Sequence, residues 1–309
     1  MIQIPLGFRL AAANADFRNK KLDRNDIGFV LSDVPATAAG VFTTNLFKAA
    51  PVLVSQAHLE AAGTEGVRAI LINSGQANAC TGEQGMGNCH LSLSMVSAAL
   101  KEAGTSVEPE DILPASTGVI GAQMDMDKWA AAVPALVDSL GKVDVEGLVR
   151  AMMTTDAFPK MAGRELALKN GTVRLAGVAK GAGMICPNMA TMISLVLTDA
   201  AVFRNGLLQV HGAGGFIVVF DAQVPREHGI AADLLADSDF IVHEVYPLIQ
   251  DAVVIAHHAI AAFHPVNHAG EPVVGLCIPG FIQQSAGDAL LTGCRQSLHE
   301  RAQVLKMRG

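Results

Sequence analysis

A threonine hydroxyl is a weak nucleophile until a base stands beside it, and a threonine at a chain terminus carries that base as its own α-amine. The sequence offers such a residue in KGAGMICPNMATMISLVLTDA, residues 180–200, where a glycine turn and a Pro-Asn step lead through Ala190 and Thr191 into an apolar run. An α-amine has a pKa near ~8, which suits general-base work at neutral pH. Thr191 gains that amine only if the Ala190–Thr191 bond is cut, and attack of its hydroxyl on the preceding carbonyl is a chemical route to the cut. A second segment, ASTGVIG at 115–121, offers the Thr117 hydroxyl and the Gly118 backbone N–H as an oxyanion hole. One donor in such a hole is worth roughly 3–4 kcal/mol of transition-state stabilisation. A third, NSGQANACTGEQG at 73–85, places small residues and glycines where backbone N–H groups approach a ligand closely. Each segment taken singly reads as a turn. GAG at 181–183 is no nucleotide fingerprint, because neither GxGxxG nor GxxxxGK[ST] is present. Together the three point to acyl transfer.

These loops need strands to hold them. Apolar, β-branched runs bounded by Gly or Asn predict strands at 27–33, 38–44, 68–75, 172–179 and 191–200. Helical periodicity predicts helices over 86–104, 126–141 and 145–155, with Gly104 as a stop. Asn170-Gly171-Thr172 between two runs is a hairpin signal. Strands and helices alternate without a regular βαβ repeat, so the expected fold is α/β, a layered sandwich of mixed sheets flanked by helices rather than a doubly wound sheet.

The bulk composition narrows the class. The 309 residues are 50% hydrophobic and 17% charged, with net charge -7, enough apolar content for a core. No clustered cations serve a nucleic-acid backbone, and the basic run FRNKKLDR (17–24) reads as a solvated loop. Mean hydropathy is +0.36, yet the most apolar stretches, such as 252–263, are too short to span a bilayer. The start of the chain lacks a secretory pattern. Cys80, Cys89, Cys186, Cys277 and Cys294 are scattered, odd in number and form no CxxC pair. The expectation is a reduced cytoplasmic protein, with no membrane and no nucleic acid as partner.

The motifs GQANACTGEQG, STGVIG, MTTDAFPK (153–160) and KGAGMICPNMATM, with DVPATAAGVFTTNLFKAAPV (33–52), occur in a fixed order over residues ~5–203. In these the chain resembles the ornithine acetyltransferase family, the bifunctional glutamate/ornithine N-acetyltransferases of arginine biosynthesis, whose layered α/β fold is of the N-terminal-nucleophile type. The resemblance implies a chain that cuts itself between Ala190 and Thr191 into fragments 1–190 and 191–309, which assemble as a heterotetramer. It implies Thr191 as nucleophile, Thr117 and Gly118 as the oxyanion pair, and Lys180 together with Thr191 as substrate-binding residues. The implied reaction is ping-pong: N-acetylornithine acetylates Thr191, ornithine leaves, and glutamate takes the acetyl group. Some members also use acetyl-CoA as donor; no other cofactor is implied.

Two features depart from the pattern. Ala157 stands where the family commonly has a substrate-contacting threonine, and the family's downstream acidic and PNWGR-type segments are missing after Phe203. From about residue 206 the composition shifts: eight of ten histidines lie from His211 onward, and no Lys or Arg falls between Arg226 and Arg295. Replacement of that segment explains this better than drift. An inactive, uncleaved family member, and an amidase or aminopeptidase using water as acceptor, therefore stand as alternatives. His257, His258, His264 and His268, with His243-Glu244 upstream, have metal-ligand types, but Pro265 breaks the helix that would align them and HExxH is lacking. No metal is expected. Asp156 and Lys160 read as a structural pair at the surface, Cys80 and Cys186 as small buried thiols, and Trp129 as a packing residue.

Overall fold

The computed structural model describes residues 2–18, 24–43, 45–62, 66–168, 171–181, 192–200 and the backbone of 216–222. The strands are β1 (Phe8–Ala13), β2 (Ile27–Val41), β3 (Val67–Gln76), β4 (Ile112–Val119), β5 (Lys160–Leu168), β6 (Gly171–Lys180), β7 (Ile193–Thr198) and β8 (Phe216–Ala222). The helices are α1 (Ala50–Ala61), α2 (Gly82–Glu102), α3 (Met126–Asp138) and α4 (Val145–Met152). The strands form one eight-stranded sheet in the order β4-β3-β2-β8-β7-β6-β5, with β1 paired to β2. Its directions are mixed: β3–β4 and β7–β8 run parallel, the other pairs antiparallel.

The two short strands expected over 27–44 are one long strand. The register of β2 against β3 breaks between Leu31 and Ala36, at Pro35, which has no N–H to give to a ladder. Ahead of the break β2 pairs with β1 and β3; beyond it, with β8 and, at Ala36 with Val67, still with β3. β1, β4, β5, β8 and α1 were not expected. The 170–172 hairpin signal is matched by β5–β6, whose last pair is Leu168 with Gly171.

Both faces of the sheet are covered, so its central strands are apolar without alternation. Ala69 and Leu71 of β3 face the cluster built by α2 and α3, including Leu93, Val96, Trp129 and Leu136. Ile70 and Ile72 face the opposite cluster, which contains Leu148, Val149 and Met152 of α4. α4 starts at Asp144, whose carboxylate accepts from the N–H of Gly147 at 2.8 Å, a standard N-cap. Its buried residues Val145, Leu148, Val149 and Met152 recur at helical spacing. They meet strands from both halves of the sheet, β1–β3 and β5–β6, so the sheet wraps around α4. Trp129 is a packing residue, fully buried with its ring centroid 5.3 Å from that of Phe17. No helix among the described residues is long and apolar enough to cross a membrane.

Candidate active site

The parallel pair β3–β4 ends in two of the glycine-containing segments singled out above. Ser74 is Cα-paired with Thr117, and Gly75 with Gly118. Gly118 has φ +138°, and a Cβ on it would lie 2.2 Å from the carbonyl carbon of Gly75, so no other residue fits there without moving backbone. The segment 73–85 serves this arrangement as a scaffold. Asn78 and Thr81 turn inward to hydrogen-bond one another at 2.7 Å, and Asn78 donates to the Gly85 carbonyl. Ala77 N–H donates to Val119 O and Gly121 N–H to Ala79 O, which ties the two strand ends into one rim.

By strand alternation Thr117 lies on the same face as Leu113 and Ala115, which is the face of the α4 cluster. Lys180, at the end of β6, follows Ala176 and Val178 onto that face too. The two meet: Lys180 Nζ donates to Thr117 Oγ1 at 3.0 Å, across 63 positions of sequence. Lys180 is 4% exposed, and burial holds its ammonium below the ordinary lysine value of 10.5 against the opposing pull of Asp156.

Asp156, between α4 and β5, completes the charged core. Its carboxylate takes the ammonium of Lys160 at 2.5 Å, Gly181 N–H at 2.7 Å and Thr154 N–H at 3.1 Å. Burial alone would raise the carboxyl, but these donors and the Lys180 charge outweigh it and hold its pKa below 3.8. Both side chains of the Asp156–Lys160 pair are buried, at 0% and 1% exposure. The pairing expected from sequence is present, while its expected surface placement is corrected. Buried charges persist only when paired and hydrogen-bonded, and all three donors are in place. Spacing in MTTDAFPK gave no sign of burial; the cue was that a motif this polar joins an apolar helix to a strand.

Thr117, Gly118 and Lys180 are thus brought together. Ala190 and Thr191 lie outside the described residues, as do Cys186, Cys277, Cys294 and the histidines from His211 onward. Lys180 is Cα-paired with Ile193, two positions beyond Thr191 in the sequence. Cys80 is exposed, not buried as expected, with φ +57° on the turn beyond β3. The basic run read as solvated is corrected at both ends. Arg18 and Arg24 turn inward, and each donates to the Met153 carbonyl at the end of α4, at 3.0 and 2.5 Å. Among the described residues no group of three or more His, Cys, Asp or Glu side chains is placed to hold a metal.

Fold and site define an α/β protein with a buried lysine hydrogen-bonded to a half-buried threonine at its strand ends, over a glycine that nothing larger replaces without moving backbone. The ArgJ family matches residues 9–213. The arginine biosynthesis bifunctional protein ArgJ of Nitratidesulfovibrio vulgaris is 57% identical over 198 residues, 64% of this chain and 48% of that protein. The ArgJ protein of Chlorobaculum tepidum is 44% identical over 218 residues, 71% and 52% of the two chains. Among solved structures, an ornithine acetyltransferase from Mycobacterium tuberculosis complexed with ornithine superposes with a TM-score of 0.53 at 40% identity. It covers 59% of this chain and 92% of that one. The Bacillus halodurans ArgJ protein gives 0.51 at 29% identity, with 59% and 90% coverage. The chain belongs to the ArgJ family. It spans about half the length of the curated relatives it matches.

Proposed function

We propose that the chain is an autoprocessing acetyltransferase of arginine biosynthesis, moving an acetyl group from N-acetylornithine to glutamate through Thr191. The observation that carries this reading is the Lys180–Thr117 hydrogen bond beside Gly118. An ammonium has only donors, so the Thr117 oxygen accepts and its own hydrogen is left to donate elsewhere. A carbonyl oxygen turning into an oxyanion is such an acceptor, with the Gly118 N–H as second donor.

The steps follow from that placement. Thr191 attacks the Ala190 carbonyl, and hydrolysis of the resulting ester frees its α-amine and divides the chain into fragments 1–190 and 191–309. The amine then takes the Thr191 hydroxyl proton as the oxygen attacks the acetyl carbonyl. Collapse of the tetrahedral intermediate expels ornithine, whose amine leaves with that proton. The glutamate amine attacks the acetyl ester, gives up a proton, and the Thr191 oxygen departs as a hydroxyl. Acetyl-CoA serves the same first step as an alternative donor. The fragments stay associated, two copies of each.

Intact mass and N-terminal sequencing of wild type beside Thr191→Ala test the processing step. Two fragments, one beginning at Thr191 and absent in the variant, are expected, followed by acetyl transfer from N-acetylornithine to glutamate. A single uncut chain in both proteins overturns the mechanism.

A further inference from the structure

The hydrogen bond between Lys180 and Thr117 runs from nitrogen to oxygen only while Lys180 is an ammonium. A neutral amine carries a lone pair, and the Thr117 hydroxyl would then donate to it instead. The hydrogen that otherwise serves an oxyanion would be taken up by the lysine, and the oxyanion site would keep the Gly118 N–H alone. Lys180 is 4% exposed, so the ammonium needs support. Burial, Lys160 of β5 and Arg18 between β1 and β2 all favour the neutral amine, while Asp156 pulls against them. Ile193, the β7 residue paired with Lys180, is apolar.

The Asp156 carboxylate is seated to do this. One oxygen, Oδ1, accepts the N–H of Gly181, the residue after Lys180, at 2.7 Å and the Lys160 ammonium at 2.5 Å. The other accepts the Thr154 N–H at 3.1 Å, so the carboxylate is fixed against the end of β6 from two sides. Its side chain is wholly buried, and its field reaches Lys180 through protein rather than solvent. We propose that Asp156 is a positioning residue that fixes the direction of the Lys180–Thr117 hydrogen bond, and with it the side-chain donor of the oxyanion site. Asp156 touches no reacting atom in this role. It acts through Lys180, and Lys180 through Thr117.

This rests on the function proposed above, and two readouts on the full chain test it. Lysine labelled with carbon-13 at Cε reports the Lys180 titration by NMR, its resonance assigned with Lys180→Met. Single-turnover release of ornithine from N-acetylornithine is followed over the same pH range. Above the Lys180 midpoint the wild-type rate is expected to fall by about 10²- to 10³-fold, the weight of one oxyanion donor. Asp156→Asn moves the midpoint and the fall together to lower pH. Asp156→Asn with Lys160→Met does so by less, because Asp156 acts on Lys180 more strongly than Lys160 does, and it decides if the single variant does not fold. Thr117→Ala has no hydroxyl to reverse and shows no fall. A midpoint that stays put without Asp156, or a rate that drops equally at every pH, makes Asp156 a structural support and overturns its positioning role. A fall that persists in Thr117→Ala overturns the reversal of the hydrogen bond. Wild type that releases no ornithine at any pH overturns the proposed function and this role with it, even where NMR still records the coupling of Asp156 to Lys180.

Discussion

Gly118 stands against Gly75 so closely that a methyl group on it would sit 2.2 Å from the Gly75 carbonyl carbon and 2.4 Å from its oxygen. The two glycines form one unit, each with positive φ, +110° at Gly75 and +138° at Gly118. Gly118→Ala is expected to destabilise the fold by several kcal/mol, because backbone strain of ~1–3 kcal/mol adds to a clash with atoms that cannot swing away. Gly121 is the control: its φ is +81°, but nothing lies within 4 Å of an added Cβ. Gly121→Ala should cost only about 1–2 kcal/mol, the conformational part. Urea denaturation midpoints of the two variants measure the difference.

Thr117→Ala removes the hydroxyl that Lys180 supports from behind. The expected loss in kcat is about 10²- to 10³-fold, with Thr117→Ser retaining most of the rate because the hydroxyl survives. Steady-state acetyl transfer from N-acetylornithine to glutamate distinguishes the two. Equal losses in both variants would mean that the methyl group, and not the hydroxyl, is what the site requires.

The Asp156–Lys160 pair gives a prediction of opposite character. Asp156→Asn strands a buried ammonium, and such half-broken pairs lose about 3–5 kcal/mol. Adding Lys160→Met should restore most of it, since an apolar chain of similar shape needs no partner. Acidity tests the same pair. A carboxylate depressed below 3.8 contributes stability that is complete above that pH and is lost as pH falls through its lower folded value. The stability gap between wild type and Asp156→Asn should stay level from pH 7 to about 4 and close below it, as followed by denaturation at stepped pH.

What the sequence disclosed depended on how local the signal was. β3, β6, β7, α2 and α3 announce themselves by runs and periodicity, and the loops at the ends of β3 and β4 by their glycines. β1 and β4 passed unread because FRLAAA and ILPASTGV mix small, polar and Pro residues that only pairing with β2 and β3 turns into strands. The proximity of Lys180 to Thr117 was not legible, since a contact between two strands of one sheet 63 positions apart leaves no trace in spacing. The inward turn of Arg18 and Arg24 had the weakest cue of all. A basic run usually means a wet loop, and only the carbonyl exposed at the end of α4 reverses that here.

Cysteine chemistry separates two thiols that composition treats alike. Cys80 is exposed beyond β3, whereas Cys89 is buried on α2 and burial pushes its thiol up to about 12. Thiolate is the reactive form, so native iodoacetamide labelling at pH 8 with peptide mapping should modify Cys80 and spare Cys89. Labelling in urea should reach both.

Lys180 sets a final expectation on the alkaline side. Its folded pKa lies below 10.5 because burial penalises the ammonium. Between the folded value and 10.5 the unfolded chain holds more protons at this position than the folded one, so stability rises with pH there. Wild type should therefore gain on Lys180→Met as pH increases toward 10.5, since only wild type sheds a buried charge. The difference in denaturation midpoint between the two proteins, followed from pH 7 upward, isolates this group from the other lysines that titrate in the same range. A difference that stays flat would mean that the hydrogen bond to Thr117 and the charge of Asp156 fully offset the burial of the ammonium.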